Sequence, residues 1–350
     1  MTRPLVLTSS TSGVGIAAQQ AAAVSSHTYV ITGISTWPAR LLSGLRALPS
    51  PATQDREAFQ ERVLTLVEEV GPCLVVAGRD EDATVLGQVA DDLAARGGVL
   101  GNGPPHTVQA AYDKALTSSL FAGSALSIAM TAATVRDALC LAGTVGWPIL
   151  VKPRCGNASR GVRLADNAET LRACFRPGID IAQELLPFDS QDRRPWDRRA
   201  HLLRQDGEYS VQVLIGPRGQ DLGCFVSRNN LVDGVPHLVE IVDDALSRLV
   251  SRHAREALSH HGAWGAWNFQ GRRTPDGDIR IFEVNARFTG LTGMRSWLGF
   301  NELDLLYEGL VLQQETCPPP CPPAGLLIEL STAAGGRPAK EAAPYAEAAR

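Results

Sequence analysis

The sequence lacks the features that would place a protein in a membrane or on a nucleic acid. Its 350 residues include no hydrophobic run of membrane-spanning length, and the start of the chain has too few apolar residues for a secretory signal peptide. The 33 Lys and Arg residues are outnumbered by 37 Asp and Glu residues, so the net charge is -4 and no basic field attracts nucleic acid. We therefore expect a cytoplasmic protein with neither a membrane nor a nucleic acid as partner.

Cysteines are few and scattered. The seven are odd in number, which indicates reduced thiols rather than a disulfide framework. Cys317 and Cys321 bracket three prolines without a companion His or Cys pair, so we interpret this stretch as a proline-rich linker and not a zinc site. A chain of this length is expected to form two or three lobes with hydrophobic cores.

An α/β pattern opens the chain. Strands are predicted over 4–7 and 73–78, with helices over 16–24 and 80–96, which together predict a small doubly wound domain. The turn 12–15 resembles the end of the T-G-x-x-x-G-x-G pattern of short-chain dehydrogenases, with a serine in place of the first glycine. However, none of the five tyrosines has a lysine four residues on, and no complete G-x-G-x-x-G is present. We therefore favour a tight turn at a strand end over a nicotinamide site.

An apolar strand that ends on a lysine indicates a phosphate site. The strand is predicted over 149–153, where Lys152 follows three apolar residues, and residues 154–162 form a loop with two glycines, a serine and two arginines. Glycines let a backbone approach phosphates, its N–H groups can bind the oxygens, and a lysine adds a point charge. A solvent-exposed basic hairpin is the alternative, which we disfavour because an apolar strand gives a lysine little structural reason to be there.

A charged segment, residues 188–207, separates strands predicted over 179–187 and 208–215. Its five arginines are Arg193, Arg194, Arg198, Arg199 and Arg204. Such a run of charge is usually a solvated face or a mobile loop. The alternative is a lid that receives an anionic substrate.

Two predicted strands near the C-terminal end, 267–270 and 281–287, carry polar side chains with a period of two. A turn between them would form a hairpin and bring these side chains to one face. They are Gln270, Glu283, Asn285 and Arg287. One carboxylate and two amide oxygens suit magnesium, which also takes waters and substrate phosphates, and an arginine adds a fork for an oxyanion. A polar, solvated sheet face is the alternative.

Six motifs occur in chain order, and together they resemble those of ATP-grasp enzymes. They are Asp113-Lys114, Val151-Lys152-Pro153 with the loop 156–162, Gln183-Glu184-Leu185, Gly207-Glu208-Tyr209-Ser210-Val211, Asn268-Phe269-Gln270, and Phe282-Glu283-Val284-Asn285-Ala286-Arg287-Phe288. The Gln and Glu-x-Asn-x-Arg forms are most similar to the carbamoyl-phosphate-synthetase-like branch of carboxylate–amine ligases. The resemblance covers roughly residues 1–312.

The resemblance implies a mixed α/β and α+β fold with four parts. A Rossmann-like domain over 1–105 precedes a small lobe with the phosphate loop over 106–185 and a large lobe with the metal site over 186–315. The two α+β lobes would clasp ATP between them. Residues 316–350 are expected to form a proline-rich linker, a short strand and a tail.

The resemblance also implies which residues contact the nucleotide. Lys114 and Lys152 would hold its α- and β-phosphates, and the loop 156–161 would close over the β- and γ-phosphates. The loop residues assigned to the nucleotide are Gly156, Asn157, Ser159, Arg160 and Gly161. The adenine would lie against Gln183, Glu184 and Leu185, mainly through their backbone, with the ribose near Glu208.

For the reaction centre, the resemblance implies that Gln270, Glu283 and Asn285 bind magnesium, with two ions expected and manganese as a substitute. Arg287 would steady the transferred phosphoryl group and, with Lys152, make up the catalytic pair. The glycine-rich stretch 288–301 resembles the acceptor-side loop of the family. On it, Arg295 is either a partner for a substrate carboxylate or a surface arginine. Arg228 is a second candidate for contact with substrate phosphates.

These assignments predict an ATP- and magnesium-dependent carboxylate–amine ligase. A carboxylate would attack the γ-phosphate to give an acyl phosphate, an amine would then attack the acyl carbon, and an amide would form. Two alternatives are carboxylation through carboxyphosphate and a nucleotide-binding sensor without turnover. The expected partners are a small-molecule carboxylate and a small-molecule amine, and a homodimer is left open.

Overall fold

A computed structural model describes residues 2–37, 39–156, 160–186, 204–232 and 234–330, without the side chains of residues 204 and 205. The phosphate-loop predictions for Asn157 and Ser159, and nearly all of the arginine-rich segment, lie outside the described residues. Within the described residues, no helix is both long enough and apolar enough to cross a lipid bilayer.

The N-terminal part is a parallel five-stranded sheet with helices. Its strands are β1 Thr2–Leu7, β2 Thr28–Ser35, β3 Leu48–Pro49, β4 Cys73–Val76 and β5 Gly98–Leu100, in the order β3-β2-β1-β4-β5. Its helices are α1 Gly13–Val24, α2 Arg56–Val70, α3 Asp80–Gly87 and α4 Ala90–Ala95. One predicted helix over 80–96 is thus two helices, since Gly87 lowers helix propensity at the break.

A four-stranded antiparallel sheet forms the small lobe. Its strands are β7 Thr131–Ala132, β8 Ile149–Pro153, β9 Arg163–Ala165 and β10 Asp180–Glu184, in the order β7-β10-β8-β9. The helices α7 Val135–Val145 and α8 Ala168–Cys174 accompany it. Thr134 caps α7 by accepting a hydrogen bond from the backbone N–H of Asp137, which fixes where this helix begins.

The large lobe is built on a seven-stranded sheet. Its strands are β6 Asn102–Gly103, β11 Arg204–Ile215, β12 Asp221–Val232, β13 Val235–Ile241, β14 Trp264–Arg273, β15 Ile279–Asn285 and β16 Leu327–Glu329, in the order β15-β14-β11-β12-β13-β16 with β6 on β14. Its helices are α5 Pro105–Tyr112, α6 Lys114–Leu120, α9 Ala245–His260, α10 Thr292–Trp297 and α11 Glu302–Leu306, with a π-helix over Tyr307–Val311.

The two faces of this large sheet differ in polarity. Trp267 and Phe269 on β14 are fully buried in a core that also contains apolar residues of α5, α6 and α9. Asn268 and Gln270 alternate with them and face the other way, as strand geometry requires. One side of the sheet therefore supplies a hydrophobic core, while the other presents polar groups to a cleft.

The packing crosses two of the boundaries assigned from sequence. Val108 and Leu120, from α5 and α6, belong to the core of the large sheet, although the sequence assigned residues 106–120 to the small lobe. Strand β16 lies in the segment 316–350, where a short strand was expected, and it pairs with β13 and so completes the large sheet. In both places the segment packs against the large sheet, where its apolar side chains are buried.

Candidate functional site

A cleft of about 620 Å³ runs between the small and large sheets and reaches the N-terminal domain. Its walls include residues 183–186 at the end of β10, the polar face of β14 and β15, and residues 12–14 and 78–79 at the carboxyl ends of β1 and β4. A single cavity thus connects the predicted nucleotide end with the predicted acceptor end. This volume is typical of a site for one or more small molecules.

The hairpin of β14 and β15 sets the three predicted metal ligands side by side. Gln270 pairs with Glu283, and Asn268 pairs with Asn285, in an antiparallel register. Gln270, Glu283 and Asn285 therefore share the cleft-facing side of the hairpin, as the alternation of their positions predicts.

Three cations influence the carboxylate of Glu283. Burial by itself would raise the pKa of Glu283, but Lys114, Lys152 and Arg287 together outweigh burial and lower it. The Nζ atom of Lys114 lies 3.9 Å from Oε1 of Glu283 and donates a hydrogen bond to the backbone oxygen of Gly156 at 2.7 Å. Glu283 is thus an ionised carboxylate at neutral pH, beside Lys114, which hydrogen-bonds to the start of the phosphate loop.

Lys152 is a buried lysine with a weakened proton affinity. Its Nζ donates to the backbone oxygen of Phe282 at 3.4 Å and lies 5.6 Å from the centre of the Phe282 ring. Burial lowers the pKa of Lys152 to about 8, with Lys114 acting in the same direction and Glu283 opposing. An anion bound next to this amine would restore its charge.

Arg287 is held in a fixed orientation by three partners. Its Nε donates to Asp80 at 2.7 Å, one Nη donates to the backbone oxygen of Phe288 at 2.9 Å, and the other donates to Oδ1 of Asn285 at 3.3 Å. Because Asp80 begins α3 of the N-terminal domain, this contact joins that domain to the predicted metal site. Asp80 was missed from sequence, although its position just after a buried parallel strand is a usual place for a functional residue.

The end of β10 forms the other wall of the cleft. The side chain of Glu184 accepts a hydrogen bond from the backbone N–H of Met130 at 2.9 Å and lies 3.1 Å from Arg280. Gln183 donates through Nε2 to Thr131 and to the backbone oxygen of Phe282. Oε1 of Gln183 has no hydrogen-bond partner among the described residues, so a ligand at this strand would meet that oxygen, the backbone and Leu185.

The phosphate loop is described at its two ends. Gly156 and Gly161 have φ angles of +121° and +74°, which favour glycine, and Arg160 is exposed at the cleft. Glu208 lines the cleft and pairs with Arg272 at 3.1 Å. Six of the residues predicted to surround the nucleotide line this one cleft: Lys152, Arg160, Gln183, Glu184, Leu185 and Glu208.

Comparison with known proteins assigns the fold. Residues 113–189 match the family model described as the ATP binding domain of the carbamoyl-phosphate synthase L chain. The chain superposes on N5-carboxyaminoimidazole synthase from Aspergillus clavatus, a structure solved in complex with ADP and 5-aminoimidazole ribonucleotide. The TM-score is 0.68 at 14% identity, and the match covers 95% of this chain and 83% of that chain. The chain has the ATP-grasp fold.

Another solved structure and two curated proteins are also similar to this chain. The biotin carboxylase domain of a 2-oxoglutarate carboxylase from Hydrogenobacter thermophilus, in complex with MgADP, ADP and bicarbonate, has a TM-score of 0.66 at 15% identity, covering 93% of this chain and 73% of that chain. The arginine-specific large chain of carbamoyl phosphate synthase from Neurospora crassa is 26% identical over 165 residues, 47% of this chain. An uncharacterised protein, y4rH, of Sinorhizobium fredii is 24% identical over 199 residues, 53% of this chain.

The match to these two curated relatives is partial. It spans 14% of the length of the Neurospora protein and 38% of the length of the Sinorhizobium protein. At 12–15% identity the superposed structures show a shared ATP-grasp fold and leave the substrates to be argued from the site.

Arg295 does not reach the cleft, and its predicted role is corrected. Its side chain is 0% exposed, and its Nε lies 2.5 Å from Oε1 of Glu302, which is also 0% exposed. The guanidinium also donates to Thr289 at 2.8 Å and to Thr292 at 3.2 Å. The carboxylate that Arg295 binds is thus Glu302, and the pair fixes Thr289, a residue that lines the cleft.

Arg228 also faces away from the cleft. It lies between Ser227 and Asn229 on β12, whose side chains are buried, and its own side chain pairs with Glu240 on β13 at 2.5 Å. Since neighbouring residues of a strand point to opposite faces, Arg228 projects to the side opposite Asn229, which lines the cleft. The predicted substrate contact at Arg228 is corrected on this ground.

Arg295→Met is expected to lower the free energy of unfolding by about 3–5 kcal/mol, because it leaves the buried Glu302 without its cationic partner and with the neutral donors Gln212 and Thr292. Urea unfolding followed by circular dichroism measures the loss. The double variant R295M/E302L removes both charges and should be less destabilised than the single variant. Unchanged stability of R295M, with a loss of substrate affinity only, would instead favour the original substrate role.

Proposed function

We propose that this ATP-grasp chain is an ATP- and Mg²⁺-dependent ligase that activates a small-molecule carboxylate as an acyl phosphate and transfers the acyl group to an amine. One observation carries the proposal: a single cleft holds the buried amine of Lys152, the ionised carboxylate of Glu283 and the anchored guanidinium of Arg287. These are the charges that phosphoryl transfer requires around a nucleotide's terminal phosphates.

Unpaired oxygens in the cleft support a polar ligand there. Gln183, Asn229 and Asn268 are at least 96% buried, and each has a side-chain oxygen with no hydrogen-bond partner among the described residues. All three line the cleft. Because buried polar atoms in proteins are nearly always hydrogen-bonded, these acceptors fit a ligand that carries donors, such as the hydroxyls of a ribose.

The donor set near Glu283 suits magnesium that arrives with a nucleotide. Among the described residues, no group of three or more His, Cys, Asp or Glu side chains is placed to hold a metal by itself. One carboxylate, Glu283, with the amide oxygens of Gln270 and Asn285, matches the few protein ligands that Mg²⁺ takes when phosphates and waters supply the rest. When bound, the metal would neutralise the charge on the transferred phosphoryl group.

The protein's own groups would position the reactants. Lys152 and Lys114 supply positive charge beside the phosphates, and Arg287, fixed by Asp80, directs its remaining hydrogen-bonding capacity toward the transferred group. The carboxylate oxygen of the substrate would bond to phosphorus as the bond to ADP breaks. The amine would then bond to the acyl carbon as phosphate leaves with the oxygen and the amine loses a proton.

Carboxylation is the second candidate, because a structure with the same fold was solved with MgADP and bicarbonate. An assay of ADP formation separates the candidates. Pooled carboxylic acids and amines are supplied with and without bicarbonate, in buffers purged of CO₂. ADP formation that needs both an acid and an amine supports the ligase, and dependence on bicarbonate supports the carboxylase. Tight binding of ATP without turnover in any mixture would contradict both and favour a sensor.

A further inference from the structure

Arg79 is a cation in the cleft without a partner among the residues that the structure describes. It lies between β4 and α3, its side chain is exposed, and it lines the cavity. No described residue makes a hydrogen bond or an ion pair with its guanidinium. Two other arginines that line the cleft form ion pairs within the protein: Arg272 with Glu208, and Arg287 with Asp80.

The backbone around Arg79 is fixed on both sides. A side chain at Gly78 would come within 2.3 Å of the backbone oxygen of Thr8, so the ends of β1 and β4 touch there. Ser12 donates a hydrogen bond to the backbone oxygen of Gly78 at 3.1 Å. On the other side, Asp80 is bound to Arg287. The backbone that carries Arg79 is therefore held in place on both sides. Its neighbour Asp80 binds Arg287, the arginine expected at the transferred phosphoryl group.

The topology of the parallel sheet places this arginine where ligands bind in such folds. The order β3-β2-β1-β4-β5 reverses direction between β1 and β4, and ligands of open α/β sheets bind outside the carboxyl ends of the strands at that point. Residues 12–14 follow β1, residues 78–79 follow β4, and both line the cleft.

The charges at this end of the cleft favour an anion. Three acidic residues follow Arg79. Asp80 is paired with Arg287, Glu81 accepts a hydrogen bond from Tyr112 at 3.3 Å, and Asp82 accepts hydrogen bonds from Thr8, Ser9 and Thr53. The nucleotide has Lys114, Lys152 and Arg160 near its expected phosphates, so Arg79 in the N-terminal domain is left for another group. An arginine fork matches carboxylate and phosphate alike.

We propose that one of the two substrates carries an oxyanion apart from its reacting group, a carboxylate or a phosphate, and that Arg79 binds it. The inference rests on the proposed function and names the class of the substrate: a compound such as an amino acid with a free carboxylate, a dicarboxylate or a phosphorylated amine.

Binding is tested first, without turnover. Succinate, inorganic phosphate and neutral succinamide are titrated into the full chain with and without saturating MgADP, and the thermal midpoint is followed. We expect succinate or phosphate to raise the midpoint of the wild type, with succinamide inactive, and the stronger anion identifies the source. The rise should vanish in Arg79→Met and persist in Arg136→Met, whose exposed arginine lies on α7 outside the cleft lining.

Turnover is tested with the substrate pair found by ADP formation. Arg79→Met should raise KM for one substrate about tenfold to hundredfold, with KM for ATP unchanged and Arg79→Lys in between. In the wild type, converting the second carboxylate of that substrate to an amide should cause the same loss. Equal anion stabilisation in R79M and the wild type would overturn the inference. A wild type that neither binds MgADP nor forms ADP would instead overturn the proposed function, and the anion titration without nucleotide still reports on Arg79.

Discussion

Glu283→Gln is expected to abolish turnover and leave the fold intact. Glu283 is the one carboxylate among the three predicted metal ligands, and the amide keeps its size while removing the charge that holds a divalent cation. Metal assistance contributes several kcal/mol to a phosphoryl-transfer barrier, and about 1.4 kcal/mol corresponds to tenfold in rate, so a loss of about 10³-fold or more is expected. ADP formation at saturating ATP and magnesium measures it.

The electrostatics around Glu283 give this variant a second signature. Lys114, Lys152 and Arg287 lower the pKa of Glu283 against the effect of burial, so the substitution leaves three cations with less compensation. Binding of ADP without magnesium should therefore be retained or strengthened, while the enhancement by magnesium disappears. Glu240→Gln, at the Arg228 pair outside the cleft lining, is the matched control and should keep its turnover. Full activity of E283Q would exclude Glu283 as a metal ligand.

Local patterns were sufficient to predict the elements around the cleft. Strand β8 begins and ends at the predicted residues, 149 and 153, because an apolar run flanked by Pro and Gly leaves little choice of limits. The period of two along β14 and β15 placed Gln270 beside Glu283 before any pairing was known. The same rule places Arg228 and Asn229 on opposite faces of β12, and the structure then shows that Asn229 is the one at the cleft.

Contacts between distant parts of the chain could not be predicted from one sequence. Asp80 and Arg287 are 207 positions apart, and nothing in either local pattern identifies the other as its partner. Arg295 lies in a glycine-rich stretch that resembles an acceptor loop. Only the packing of α10 against α11 shows that it forms an ion pair with Glu302. Likewise, α5 and α6 carry apolar faces that fit either lobe. In the structure, these faces pack into the larger core of the large sheet.

Lys152 is expected to make nucleotide affinity fall as pH rises through about 8. Burial lowers the pKa of this amine to about 8, so in the free protein it is charged below that pH and neutral above it. A bound anion favours the charged form, and affinity should drop by about tenfold between pH 7 and pH 9. Titration with ADP at several pH values, by isothermal calorimetry in buffers of different ionisation enthalpy, measures the affinity and the proton taken up on binding.

The unliganded protein should respond to pH in the opposite sense. An ordinary lysine has a pKa of about 10.4, so between pH 8 and that value the unfolded chain binds more protons than the folded one, and stability from this group rises with pH. Lys152→Met should remove both dependences and weaken ADP binding, whereas Lys152→Arg, which keeps its charge, should bind ADP with a flat profile over pH 7–9. If K152M kept the affinity and the slope of the wild type, the amine at 152 would lie outside the phosphate site. Of the three cations placed around Glu283, only Lys114 and Arg287 would then remain in the proposed catalytic arrangement.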